Sequence, residues 1–213
     1  MNIRKLLYIF VPALALVGVA LFIEVLRYEP LFPKKKDQTT TKELTIPVSA
    51  DDIMIGIKRA PKTIVAFEDF SCPSCRAQTE ILDALIAKHP KVVKVVWKSL
   101  PVTQFPYPSE PVAKHALCAH RQNKFPEFKQ LAFANSDNLS EKTLKMITET
   151  IPLDAKNLEL CLSDAKTQSY IDTVKTLAIL LNIQAVPTFF VDNKQIEPPQ
   201  TVEGWEKVLN LLK

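Results

Sequence analysis

Cys72-Pro73-Ser74-Cys75 are the residues of this chain best equipped for chemistry. Two thiols three positions apart on a helix lie about one turn from each other on one side. They can close a disulfide, or one can resolve a mixed disulfide formed by the other. The first turn of a helix has unpaired N–H groups and the positive end of the helix dipole, and both lower the pKa of a thiol placed there. Cys72 therefore reads as the nucleophile and Cys75, one turn deeper, as the resolving thiol. Pro73 suits the first helical turn, where its missing N–H costs nothing. Ser74 offers a hydroxyl without charge, and Arg76 is expected to add positive field. The motif also fits an inert disulfide or half of a zinc site. Zinc would need more ligands, with Cys118, His115 and His120 as candidates on another element, and no metal and no cofactor are expected.

Val186-Pro187 precedes the strand-like run Thr188-Phe189-Phe190-Val191. Proline can open a strand. The expectation is a cis bond lying beside the dithiol, with the backbone of Val186 left to pair with an extended substrate. An ordinary trans proline at a strand edge is the alternative. Cys118 and Cys161 complete an even set of four cysteines, which suggests a structural disulfide in an exported protein; two buried thiols are the alternative.

The elements that must position these groups follow from apolar patterning. Thr63-Ile64-Val65-Ala66-Phe67 reads as a buried strand ending just before the dithiol. Ile81, Leu82, Leu85 and Ile86 have helical spacing within 72–89, and Pro90 stops that helix. Val92–Trp97 is a second strand. Residues 109–182 carry no strand signal and are expected to form four or five short helices, one capped by Ser140. Asp192-Asn193-Lys194 turns the chain from 188–191 into a return strand at Gln195-Ile196, and 202–212 is a closing helix. Phe105-Pro106-Tyr107-Pro108 is expected to pack between the two subdomains, although as an exposed apolar run it would suit a client-binding module.

Leu6 to Ile23 is 18 residues without a charge, preceded by Arg4 and Lys5. At 1.5 Å per residue it spans about 27 Å, close to a bilayer's hydrocarbon layer. It reads as a membrane anchor or an export signal within 1–26, followed by a linker over 27–43. Residues 1–36 hold six basic and two acidic residues, whereas the rest holds 21 of each. That neutral balance excludes a basic footprint for nucleic acid. Three glycines cannot build a phosphate-binding loop, which argues against nucleotide chemistry.

Phe67-Glu68-Asp69-Phe70-Ser71-Cys72-Pro73-Ser74-Cys75 resembles the active-site segment of DsbA-like thiol–disulfide oxidoreductases, especially membrane-attached BdbD-type members. Cys118-Ala119, Gln122–Phe125 and Leu131–Asn135 resemble that family's helical insertion, and Ala185–Asp192 resembles its cis-proline strand. The resemblance runs from residue 44 to the end. It implies an α/β thioredoxin fold over 44–108 and 182–213, a helical insertion over 109–181, and a transmembrane helix in front. It also implies nucleophile Cys72, resolving Cys75 and a substrate-facing Pro187. The implied function is an extracytoplasmic, single-pass membrane enzyme that introduces disulfides into reduced exported proteins as a monomer. A DsbB-like or VKOR-like membrane oxidase would reoxidise it. A thiol reductase, for example in cytochrome c maturation, and a non-catalytic client-binding module are the rival readings. The family's buried acid, six positions before the first cysteine, falls on Ala66 here, with Glu68 and Asp69 as possible substitutes.

Overall fold

The computed structural model of the protein describes residues 3–27 and 45–212, with side chains in the first stretch described for 11–25. The chain divides into two units, Met1–Leu44 and Thr45–Lys213. The first contains helix α1 (Ile3–Arg27). Among the described residues no helix is long and apolar enough to cross a membrane, so the expected transmembrane helix is not found among them. The expected linker over 27–43 lies, beyond Arg27, outside the described residues.

The second unit is built on a five-stranded sheet. Its strands are β1 (Ile53–Gly56), β2 (Lys62–Glu68), β3 (Val93–Ser99), β4 (Thr188–Val191) and β5 (Lys194–Ile196), in the order β1-β3-β2-β4-β5. Only β2 and β3 pair in parallel. The helix α2 (Pro73–Lys88) makes the crossover between them. Both faces of β2 are covered, which is why its sequence is continuously apolar rather than alternating. Ile64 and Ala66 pack with Leu82 and Leu85 of α2 and with Trp205 of α8 (Val202–Val208). Val65 and Phe67 pack on the other face with Val174, Leu177 and Ala178. These three belong to α7 (Ala165–Leu180), which thus covers the sheet although its sequence falls within 109–181.

Two details depart from the sequence reading. Strand β1 was not expected; with four residues it is too short to show a period. The last helix stops at Val208 instead of running to Leu212. Asn210 takes a positive φ of 54°, and the N–H groups of Asn210 and Leu211 turn back to Lys207 O and Glu206 O. This is a left-handed C-terminal stop. The β4–β5 turn has no glycine, yet Asp192 and Asn193 take φ of 49° and 61°, the pair of left-handed positions a two-residue hairpin needs.

Between β3 and α7 lie α3 (Glu110–Arg121), α4 (Phe125–Ala134), α5 (Glu141–Thr150) and α6 (Ala155–Ser163). Ser140 caps α5 by accepting from Thr143 N at 3.3 Å. These helices share a core with the end of the sheet. Phe70 stacks with Trp97 of β3 and Phe133 of α4, ring centroids 5.4 and 5.0 Å apart. Phe70 stands two residues before Cys72, so aromatic packing fixes the backbone that presents the dithiol.

Candidate active site

Cys72 is the N-cap of α2: its backbone is extended and its sulfur accepts from Cys75 N at 3.2 Å. Pro73 occupies the first helical turn. Ser74 Oγ lies 3.1 Å from Cys72 Sγ. The cap position gives the sulfur the N–H that a Ser or Asp would otherwise take. Cys72 is partly exposed, and its pKa falls from 9.0 to about 6. Hydrogen bonding from the Cys75 side chain contributes most, against an opposing cost of burial, and Ser74 adds to the lowering. Arg76 is not among the causes. It turns instead to Glu80 one helical turn on, at 3.4 Å and in solvent, which corrects the expectation that its charge supports the thiolate.

Cys75 is fully buried in the core shared with Phe70 and Trp97. Burial pushes its pKa far up, and the neighbouring Cys72 and Glu68 push the same way. One turn of helix therefore holds two thiols of opposite character. At neutral pH the outer sulfur is mostly thiolate and the inner one keeps its proton.

Val186–Pro187 is cis and lies beside the pair, with Val186 O 3.6 Å from Cys72 Sγ. Ser74, Gln78, Gln184, Pro187, Thr188 and Gln195 line a groove of about 350 Å³ next to them. Its side chains are mostly uncharged and hydrogen-bonding, suited to an extended backbone. Cys118 and Cys161 form a disulfide with Cα atoms 5.8 Å apart, joining α3 to α6. Cys118 is thus not free to join His115 and His120 as a zinc ligand, and the disulfide is not part of the dithiol site.

With Ala66 at the family's position, sequence reasoning left the buried acid undecided between Glu68 and Asp69. Ala66 is core. Asp69 is fully engaged by structure: Oδ1 accepts from Ser71 N, and Oδ2 from Val102 N, Thr103 N and Ser109 Oγ. Glu68 is the carboxyl behind the thiols. It is completely buried, Oε2 accepts from Thr79 Oγ1 at 2.9 Å, and Oε1 finds no partner among the described residues. Burial raises its pKa from 4.5 to about 8, against the lowering effects of Thr79 and Lys129. The signal was strand parity: residues 66 and 68 share a face of β2, the face that α2 covers.

The same three bonds to Asp69 pinch the chain at 102, 103 and 109. The residues between them bulge outward, so Phe105 is 88% exposed rather than packed between subdomains.

A family model described as Thioredoxin matches residues 49–210. Among curated proteins, the Na(+)/H(+) antiporter NhaA 3 of Salinispora tropica is 30% identical over 163 residues, 76% of this chain and 25% of that protein. The chain thus spans about a quarter of the length of the curated relatives it matches. Among solved structures, a thioredoxin-like oxidoreductase from Silicibacter pomeroyi is similar with a TM-score of 0.69 and 21% identity, covering 76% of this chain and 92% of that one. The thiol–disulfide exchange protein α-DsbA2 of Wolbachia pipientis is similar with a TM-score of 0.68 and 19% identity, covering 77% and 88%. The chain belongs to the thioredoxin family, and its fold is that of DsbA-like proteins, with helices set between the third and fourth strands of the sheet.

Proposed function

We propose that the protein is a thiol–disulfide oxidoreductase that donates its Cys72–Cys75 disulfide to reduced exported proteins. The observation that carries this reading is the split between the two thiols: Cys72, capped and held near pKa 6, against buried Cys75. A dithiol whose outer sulfur is stabilised as thiolate favours its reduced form, so its disulfide oxidises others.

A substrate thiolate attacks Cys72 Sγ, the Cys72–Cys75 bond breaks, and Cys75 leaves as a thiolate. Glu68, neutral below about pH 8, gives that thiolate its proton. A second substrate thiolate then attacks the substrate sulfur of the mixed disulfide and expels Cys72 as a stabilised thiolate. The substrate has lost two electrons and the enzyme has gained them. A quinone-linked membrane oxidase of the DsbB or VKOR type takes those electrons away, and the proton of Cys75 leaves through Glu68, which passes one on to solvent. The groove beside Pro187 holds the substrate as an extended segment.

The reading places this chemistry outside the cytoplasm, on a monomer held to the membrane by Leu6–Ile23. Support comes from the 18 uncharged residues of that segment and from the Cys118–Cys161 disulfide, a kind of bond that persists in oxidising compartments. The test is the reduction potential of the Cys72–Cys75 pair, measured by equilibration with a glutathione buffer. The expected value lies above roughly −270 mV, that of thioredoxin, and below roughly −120 mV, that of the strongest oxidants. A value at or below thioredoxin's overturns the oxidase direction in favour of a reductase.

A further inference from the structure

Thr79, the single hydrogen-bond partner of the Glu68 carboxyl among the described residues, also lines a cleft of about 840 Å³ between β1, α2 and α4. Asp83, one turn further along α2, lines the same cleft. It holds Lys129 of α4 through both carboxylate oxygens, at 2.6 and 2.8 Å. The Lys129 side chain is only 7% exposed. A lysine is seldom buried this far without a task or a partner. Its partner Asp83 is nearly half exposed, so the pair is not a closed internal salt bridge.

We propose that Lys129, delivered by the helical insertion and clamped by Asp83, is a positioning residue for Glu68: its ammonium charge, opposed by Asp83, sets how readily the buried carboxyl releases its proton. This rests on the proton exchange at Glu68 proposed above. Charged and titratable groups that face Glu68 are few. From α2 come Cys72, Cys75 and Asp83, and from α4 comes Lys129. On β3 its register partner is neutral Ser99, while Lys98 is committed to Asp52 at 2.7 Å. Arg76 and Glu80, on the cleft wall, are paired with each other, and His120 is the remaining titratable group there. With so little competing charge around a fully buried carboxyl, a single ammonium has a long reach. Lys129 acts to lower the proton affinity of Glu68 and Asp83 to raise it. The insertion therefore supplies a charge that the thioredoxin-like part lacks at this position.

The experiment follows Glu68 directly. The reduced full-length chain, carrying 13C-labelled glutamate carboxyls and held in detergent micelles, is titrated by NMR, with Glu68→Gln assigning the signal. Lys129→Met is expected to move the midpoint up by about one pH unit, the low end for loss of a nearby opposite charge. Asp83→Asn is expected to move it down by a smaller amount, because Asp83 acts on Glu68 less strongly than Lys129 does. The double variant is expected to fall between the parent and Lys129→Met, and Lys129→Arg to match the parent. Midpoints that coincide, or that move the same way in the two single variants, overturn the proposal. Should Lys129→Met fail to fold, Asp83→Asn decides alone, because an unmoved or raised midpoint refutes the assignment. The titration needs no turnover, so a failure of the oxidase reading would show in the reduction potential and not here.

Discussion

Replacing Glu68 by Gln should make the reduced protein more stable at neutral pH, and increasingly so as the pH rises. Glu68 is wholly buried with a folded pKa of about 8 against 4.5 for the free side chain. Between those values the folded chain holds a proton that the unfolded chain has released. Stability therefore falls with rising pH across that window, and the contribution is fully present only below 4.5. By linkage this group alone costs under about 1 kcal/mol at pH 5 and about 3 kcal/mol at pH 7, and the cost levels off above pH 8 at about 4 to 5 kcal/mol. Gln cannot ionise and can still accept from Thr79 Oγ1. Its NH2 group would face the site where Oε1 has no partner, which returns about 1–3 kcal/mol of the gain at every pH. The pH-dependent part is the signature. Cys72 works in the opposite sense: its folded pKa is depressed, so its stabilisation is present above the unfolded value and is lost as pH falls through about 6. Wild type alone would mix the two effects, whereas the difference between wild type and Glu68→Gln at each pH removes Cys72 to first order. Urea unfolding under reducing conditions from pH 5 to pH 9 provides that difference. It should widen in favour of Gln by about 3 kcal/mol between pH 5 and pH 8. A difference that stays flat would mean that Glu68 ionises normally, and the proton step at Cys75 would need another donor.

Ser74→Ala removes the hydroxyl 3.1 Å from the Cys72 sulfur. A hydrogen bond to a charged acceptor is worth about 1.5–3 kcal/mol, and partial exposure reduces this to about 1 kcal/mol. The alkylation pKa of Cys72 should rise by about 0.7 unit and the potential should fall by about 20 mV; an unchanged alkylation profile would remove Ser74 from the site. Replacing both Cys118 and Cys161 by Ala opens a 43-residue loop and should cost about 3–4 kcal/mol in urea unfolding. The glutathione potential of Cys72–Cys75 should not move; a shift of that potential would link the two disulfides.

What could be read from the sequence was what local spacing determines. The C-x-x-C pair sits between a β-branched run and a helical stripe, so its place at a strand–helix junction followed from two periodicities within about 25 residues. Val186-Pro187 was legible as a proline opening a strand-like run, and its place beside a dithiol 114 residues away came with the resemblance. Strand β1 was not, because Ile53–Gly56 is defined by its pairing with Lys94–Trp97, about forty residues away. Neither was the outward bulge of Phe105. It depends on Asp69 gathering Val102, Thr103 and Ser109, a long-range set of bonds that no window of sequence contains. Arg76 shows the converse error. Its position in the first turn was right, but a side chain in solvent chooses its partner, and Glu80 at i+4 was closer to hand than the thiolate.

The buried acid shows why a motif can shift and keep its chemistry. A carboxyl can serve Cys75 from any strand position that faces α2 and lies under its first turns. Strand parity allows 66 or 68 and excludes the odd positions between. With Ala at 66, the space there goes to packing against Leu82 and Leu85. Glu68, two residues nearer the thiols, reaches Thr79 instead. Nearer the sheet's end it also comes within range of the helical insertion, whose Lys129 opposes the effect of burial on its pKa. Moving the acid along the strand thus changes its electrostatic neighbours. The residues to vary, if the proton step is to be retuned, are on α2 and α4 rather than on the strand that carries the carboxyl.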